Sequence, residues 1–165
     1  MSEHKNINDA LQILALLGLP RAQQNGRSAL CLLALLDLSP DKKWKQADNP
    51  LIGITPIMDW SKQHYETTYA PNTRETFRRQ TMHQFVAAGI ALYNPDDPSR
   101  PTNSPNTVYQ IEPTALGLFK TFGSRAWAKN LTEWLGSRQT LSAHYAKTRD
   151  FNLIPVKINF QAAYV

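Results

Sequence analysis

The sequence predicts a mainly α-helical protein with a small β-hairpin, arranged as a winged helix-turn-helix with a C-terminal helical appendage. Two observations support this fold class. Apolar residues recur at helical spacing in several separate segments. Two of the predicted helices are joined by a short turn and followed by two short strands with a long connection, which is the element order of a winged helix-turn-helix.

The first two helices are predicted from apolar spacing and from the residues that end them. The first covers Asn8 to Leu17 and stops at Gly18. The second follows Asn25 and runs from Arg27 to Leu38. Its apolar residues lie on all sides, so this helix is expected to be buried.

The third helix is predicted from Thr55 to Tyr65, with Thr55 as the N-cap and Pro56 in the first helical position. After a short turn at Tyr69-Ala70-Pro71, a fourth helix runs to about Ala88.

Three residues predict where this fourth helix starts and ends. Asn72 and Glu75 have the spacing of a capping box, in which the two side chains bind each other's backbone N–H groups. Gly89 is the expected left-handed stop.

A hairpin and a mixed tail complete the expected architecture. Two strands, Ile90 to Asn94 and Thr107 to Ile111, flank a connection rich in Pro, Asp, Asn and Ser. Further helices are predicted at Pro113–Phe122, Ser124–Leu135 and Thr140–Thr148, and Phe151–Phe160 has an extended pattern. The expected units are a winged domain over residues 1–112, a helical appendage over 113–150, and an extended linker or the start of another domain over 151–165.

Composition narrows the function classes. The chain has 165 residues, of which 42% are hydrophobic, enough for a packed core. Its 18 Lys and Arg against 13 Asp and Glu give a formal charge of +5, which suits a polyanionic partner. No window approaches the ~18 consecutive apolar residues of a membrane span, and we expect a cytoplasmic protein. The single cysteine, Cys31, excludes an intrachain disulfide and is expected to pack in the core.

The fourth helix has the most informative pattern. At about 100° per residue, Phe77, Thr81, Phe85 and Ala88 fall on one side, spaced to pack on the third helix. Arg78 falls on the same side and is expected to pair internally or to reach a phosphate, and the same two alternatives apply to Arg74. The opposite side is polar, almost free of acid, and close to the amino end of the helix. With two residues of the hairpin tip, the candidate DNA-binding residues are Asn72, Thr73, Arg74, Thr76, Arg79, Gln80, His83, Arg100 and Asn103.

These residue types suit the major groove of DNA. Arg can bind guanine O6 and N7 in bidentate fashion, and Asn or Gln can bind adenine N6 and N7. Thr reaches phosphate, helped by the positive end of the helix. The alternative is the solvated face of an ordinary amphipathic helix. The same choice applies to a basic segment at residues 120–149, which is either a second phosphate-contacting surface or a solvated helical face.

Six blocks of the sequence have a characteristic composition and order. The longest is Pro71–Phe85, and the others are Arg27–Leu30, Pro50-Leu51, Ile57–Asp59, Ala88–Ile90 and Ser99–Ser104. Together they resemble the amino-terminal helix-turn-helix domain of the BsuBI/PstI restriction endonucleases, and the likeness extends from about Asn8 to Lys157.

The resemblance implies recognition of double-stranded DNA at a short palindrome such as CTGCAG by a homodimeric, magnesium-dependent type II endonuclease with a partner methyltransferase. In the family, a segment like Ile154–Lys157 leads into a nuclease domain with metal-binding carboxylates and a lysine. We find no such set in this sequence. The nearest imitation, Pro40-Asp41-Lys42-Lys43, lacks a second carboxylate correctly placed for a metal pair, and the four histidines are too dispersed for a zinc cluster. No catalytic or metal-binding residue is assigned, and the chain is expected to bind DNA without cutting it.

Two other interpretations stay open at this point. The chain could be a stand-alone winged-helix transcriptional regulator, or a protein-interaction module whose basic face is incidental. The DNA downstream of the gene distinguishes a regulator from an endonuclease, because an endonuclease predicts a continuing reading frame with carboxylates and Lys, or an adjacent methyltransferase gene. A DNA-binding assay tests the interaction-module interpretation.

Overall fold

A computed structural model describes residues 2–102 and 104–137 of the chain. This part is mainly helical, with one two-stranded antiparallel hairpin, as the sequence predicted. In chain order its elements are α1 (Ser2–Leu16), α2 (Gly26–Leu35), α3 (Ile54–Tyr65), α4 (residues 74–87), β1 (Ala91–Tyr93), β2 (Tyr109–Ile111), α5 (Pro113–Phe119) and α6 (residues 127–137).

Helix α2 is the centre of the core, because every residue from Ser28 to Leu35 is buried. Asn25 caps it by accepting a hydrogen bond from the Ser28 N–H at 2.9 Å. The helix ends three residues earlier than predicted, and Asp37 then takes a left-handed conformation with φ 52°. Helices α1, α3 and α4 all pack on α2, so this apolar segment organises the domain.

The predicted starts of α3 and α4 were wrong. Helix α3 begins at Ile54 with Gly53 as its N-cap, and Thr55 makes no capping bond. Pro56 is tolerated there because the N–H groups of a first helical turn have no partner within the helix. The expected capping box between Asn72 and Glu75 does not form: a 3-10 turn precedes α4, and the Glu75 carboxylate binds arginine side chains instead.

Helix α4 contains a π-helical segment, Phe77–Met82, between α-helical turns at Arg74–Thr76 and His83–Ala87. The His83 N–H donates to the Arg78 carbonyl, five residues back. A π turn closes one residue later than an α turn and so advances by a smaller angle per residue, which rotates Met82 onto the packed side. Met82 is accordingly fully buried beside Thr81, although the regular helical wheel did not place it there. The principal neighbour of this segment is α2, whereas the sequence indicated α3.

The hairpin pairs Ala91 with Ile111 and Tyr93 with Tyr109. Ile52 adds an isolated bridge to Tyr109, with backbone hydrogen bonds of 2.9 and 3.0 Å that the sequence did not predict. The neighbouring Gly53 lies so close to the connection before β2 that a Cβ atom there would meet the Thr107 carbonyl at 3.0 Å. The segment before α3 is therefore joined closely to the hairpin.

Residues 113–137 pack on the same core as the preceding helices. Helix α5 is capped by Glu112, which accepts from the Ala115 N–H at 2.9 Å. The Phe122 ring contacts Trp44 and Trp127, with centroids 5.4 and 4.9 Å apart. The predicted division at residue 112 stays a prediction. The predicted helix Thr140–Thr148 and the extended segment Phe151–Phe160 lie outside the described residues.

Candidate nucleic-acid interface

The exposed side of α4 is formed by Arg79, Gln80 and His83, which we call the α4 face. The Arg79 side chain is 75% exposed. On the opposite side, Phe77 and Phe85 are fully buried. The helix therefore divides into a packed side and a polar side, as the sequence predicted.

Two contacts fix the packed side. The Arg27 Nε at the start of α2 donates to the Thr81 Oγ1 at 2.9 Å. The Tyr69 ring meets the Phe77 ring edge-on, with centroids 4.9 Å apart. Because both contacts involve buried residues of α4, the orientation of the α4 face is set by the core.

One carboxylate organises the cations at the start of α4. The Glu75 Oε1 accepts from the Arg78 Nη2 at 2.8 Å and from the Arg79 Nε at 3.0 Å. The hydrogen bond from Arg78 holds the pKa of the Glu75 carboxyl below its usual range. Arg78 was expected to pair internally or to reach a phosphate, and in the structure it pairs with Glu75. Glu75 was not predicted in this role, although acids and arginines three and four residues apart on a helix are neighbours.

A groove of about 470 Å³ runs between α4 and the hairpin, and we call it the hairpin groove. Tyr93 is 41% exposed, and its ring lies 5.6 Å from that of Tyr109. Burial raises the pKa of Tyr109 to about 12, so this phenol stays neutral. The lining residues are Arg78, Arg79, His83, Val86, Tyr93 and Tyr109. The structure thus brings two predicted residues, Arg79 and His83, next to two tyrosines that the sequence analysis did not single out.

A second groove, of about 460 Å³, lies between the start of α3 and the connection before β2. Arg74 and Arg78 line one wall of this groove, and Thr102, Ser104 and Thr107 are on the hairpin side. Arg78 therefore lines both grooves.

The remaining predicted residues are spread around this region. Thr76 and Gln80 share a shallow depression with Arg79. Asn72 and Thr73 are in the 3-10 turn before α4, where Asn72 is exposed and Thr73 is half-buried. Their DNA-binding role stays a prediction.

Arg100 is engaged inside the hairpin connection. It binds Asp96 through two hydrogen bonds of 3.0 Å and Asn94 through one of 2.9 Å, and its side chain is 15% exposed. The pKa of Asp96 is correspondingly lowered by the Arg100 hydrogen bond. Arg100 thus braces the connection, and any DNA contact by it stays a prediction. Asn103 lies outside the described residues.

Part of the basic segment at 120–149 is described. Lys120, Arg125 and Lys129 are exposed, and Phe122 joins their segment to the loop around Trp44. The later cations of the segment lie outside the described residues.

The nearest approach to a metal motif, around Asp41, is not extended into a cluster of metal-binding side chains among the described residues. No group of three or more His, Cys, Asp or Glu side chains is placed to hold a metal ion within residues 2–102 and 104–137. Asp41 accepts from the Ser39 hydroxyl at 2.6 Å, and Asp37 accepts from Trp60 and Lys42. In the part of the chain with described structure, none of the helices has the length and apolar character needed to cross a membrane.

The polar α4 face and the adjoining hairpin define a winged helix-turn-helix domain. The chain matches the family model described as the BsuBI/PstI restriction endonuclease HTH domain over residues 4–143. It belongs to that family.

Two relatives and one solved structure agree with this assignment. The chain is 57% identical over 155 residues to the type II restriction enzyme BsuBI of Bacillus subtilis, covering 94% of this chain and 49% of that enzyme. It is 39% identical over 150 residues to the type II restriction enzyme AplI of Arthrospira platensis, covering 91% and 46%. The structure of SdaI restriction endonuclease superposes with a TM-score of 0.76 at 31% identity, over 84% of this chain and 45% of that one. The chain therefore spans about half the length of these relatives.

Proposed function

We propose that this chain recognises specific sequences in double-stranded DNA, as the specificity domain of a type II restriction endonuclease. The observation that carries the proposal is the exposed α4 face, held by core contacts and flanked by the hairpin groove. The recognition helix of a helix-turn-helix domain places exposed polar side chains in the major groove.

The side chains have complementary tasks in this proposal. Arg79 and Gln80 contact base edges, because an exposed Arg suits guanine and Gln suits adenine. Thr73 and Arg74 contact phosphates at the amino end of the helix, where the helix dipole also favours anions. These contacts need no metal ion.

The complete enzyme is proposed to be a cytoplasmic homodimer that cuts a palindrome such as CTGCAG with Mg²⁺, alongside a protecting methyltransferase. The support is membership of the family and the printed names of its relatives. This chain by itself is proposed to bind without cutting. The nearest approach to a metal motif is Pro40–Lys43, and there the Asp41 carboxylate accepts a hydrogen bond from the Ser39 hydroxyl.

A binding titration with purified chain and labelled duplexes tests the proposal. Log affinity should fall with log salt by about 0.9 for each phosphate neutralised, and chelation of divalent metal should leave binding unchanged. Arg79→Gln should weaken binding. Lys5→Gln, which removes the same charge from α1, is the matched control and should have little effect.

Three results would count against this proposal. A flat salt dependence would favour a protein-interaction module. Equal losses in the two variants would mean that α4 is not the contact surface. Metal-dependent cleavage that co-purifies with the chain would contradict binding without cutting.

A further inference from the structure

Two adjacent arginines of α4, Arg79 in the α4 face and Arg78 beside it, share one acid. Glu75 is the only Asp or Glu between Glu66 and Asp96 in the sequence. Its carboxylate is 61% exposed, and it binds Arg78 through Nη2 at 2.8 Å and Nε at 3.4 Å, and Arg79 through Nε at 3.0 Å. Exposed ion pairs of this kind contribute little to stability, so stability alone does not explain an acid on a surface suited to DNA.

The two arginines are held to different extents. Arg78 uses the side of its guanidinium that carries Nε and Nη2, which is one of its bidentate faces. Arg79 uses only Nε, and among the described residues nothing binds its Nη1 or Nη2. Both arginines keep a free Nη1–Nη2 pair, which bidentate binding to guanine requires, but the Arg78 side chain is 33% exposed and held by two bonds, whereas that of Arg79 is 75% exposed and held by one.

We propose that Glu75 is a positioning residue for DNA specificity: it orients Arg79 toward a base edge and withholds Arg78 from the phosphate backbone. This inference rests on the proposed function and adds a mechanism to it. A guanidinium held at Nε presents its Nη pair in one direction, so less orientational freedom is lost on binding. The negative charge of Glu75 also disfavours phosphate next to Arg78, and phosphate contacts carry no sequence information.

The test compares Glu75→Gln with the matched variant Asp59→Asn. Both remove one negative charge, but Asp59 is exposed on α3 and makes no hydrogen bond or ion pair among the described residues. Each purified chain selects from a randomised duplex pool. Its affinities for the motif enriched by the wild-type chain and for a scrambled duplex are then measured over a range of salt.

For Glu75→Gln we expect tighter binding to the scrambled duplex and a salt slope steeper by about 0.9, as Arg78 gains one phosphate. Discrimination should fall by about tenfold, within the range for a lost bidentate contact. In an Arg79→Ala background, Glu75→Gln should cause no further loss of discrimination. Asp59→Asn should leave discrimination and slope at the wild-type values.

Each contrary result has a distinct meaning. If the wild-type chain enriches no motif, the proposed function fails, and the role of Glu75 fails with it. If the wild-type chain enriches a motif and Glu75→Gln keeps full discrimination, only the role of Glu75 is overturned. A loss that persists without Arg79 would make Glu75 a direct reader, such as an acceptor for cytosine N4. If Asp59→Asn changes discrimination and salt slope as much as Glu75→Gln does, the effect comes from the net charge of the protein and not from the position of Glu75.

Discussion

The Arg27 Nε donates a hydrogen bond of 2.9 Å to the hydroxyl of Thr81, which is fully buried in the π-helical segment of α4. This bond joins residues 54 positions apart and connects the central helix to the helix that carries the α4 face.

Thr81→Val should therefore destabilise the protein by about 1–3 kcal/mol, because it leaves a half-buried guanidinium without its acceptor. Urea unfolding measures the change. Thr55→Val is the control, since Thr55 is exposed and its side chain makes no hydrogen bond among the described residues. A loss no larger than in the control would show that Arg27 finds another partner.

Phe85→Ala should cost about 3–5 kcal/mol of stability, because the ring has no exposed surface and its removal leaves a cavity. A thermal melt checks this. Leu51→Ala, at a residue that is 46% exposed, should change the melting temperature far less. Similar shifts in the two variants would contradict the assigned packing of α4.

Arg79→Ala and Gln80→Ala should each leave folding intact, because exposed substitutions usually change stability by about 0.5 kcal/mol or less. Each should lower discrimination between the right and the scrambled duplex by roughly 1–3 kcal/mol. Equal weakening on both duplexes would mean that the residue contacts only phosphate. If neither substitution changes binding to either duplex, the recognition surface lies in the hairpin or in the basic segment around Lys120 and not on α4.

The Glu75 carboxyl should titrate below the usual range for glutamate, because Arg78, and to a smaller extent Arg79, stabilise its charged form. A carboxyl with a lowered folded pKa stabilises the fold at pH values above its unfolded pKa, and this contribution is lost as pH falls through the folded pKa. The Glu75–arginine contacts should therefore persist into mildly acidic solution. A carbon-detected NMR titration measures this, and Arg78→Ala should raise the pKa more than Arg79→Ala does.

Cys31 should not react with a thiol reagent in the folded protein. Burial raises the pKa of its thiol well above the usual value, so the reactive thiolate is scarce. Mass spectrometry after exposure to the reagent, with and without denaturant, tests this. Modification without denaturant would mean that α2 opens locally.

The sequence was sufficient where burial and backbone conformation determine the result. Continuous apolar character identified α2 as the buried centre, and Gly89 ends α4 in the left-handed conformation with φ 80°. These features depend on neighbouring residues alone. The family assignment likewise followed from the block around α4 and is confirmed by the match over residues 4–143.

The sequence was insufficient where two local options compete or where the partner is distant. Glu75 has the spacing both for a capping box with Asn72 and for ion pairs with Arg78 and Arg79, and only the folded helix shows which forms. The bridge from Ile52 to Tyr109 spans a long stretch of chain and involves too few residues for a strand pattern. A single π turn does not change the 3.6-residue spacing of apolar residues enough to be recognised in the sequence. The burial of Met82 was therefore not predicted.

The five-residue hydrogen bond from His83 to Arg78 also bears on how such a domain could change its target during evolution. Loss of one residue in that turn would restore an ordinary α-helical repeat while Phe77 and Phe85 still anchored either side of it. The outward side chains between the two anchors would rotate relative to the DNA, with no substitution among them. On the proposed function, a one-codon deletion there shifts which bases are contacted, and relatives whose α4 helices differ by one residue are the pairs in which to compare recognition sites.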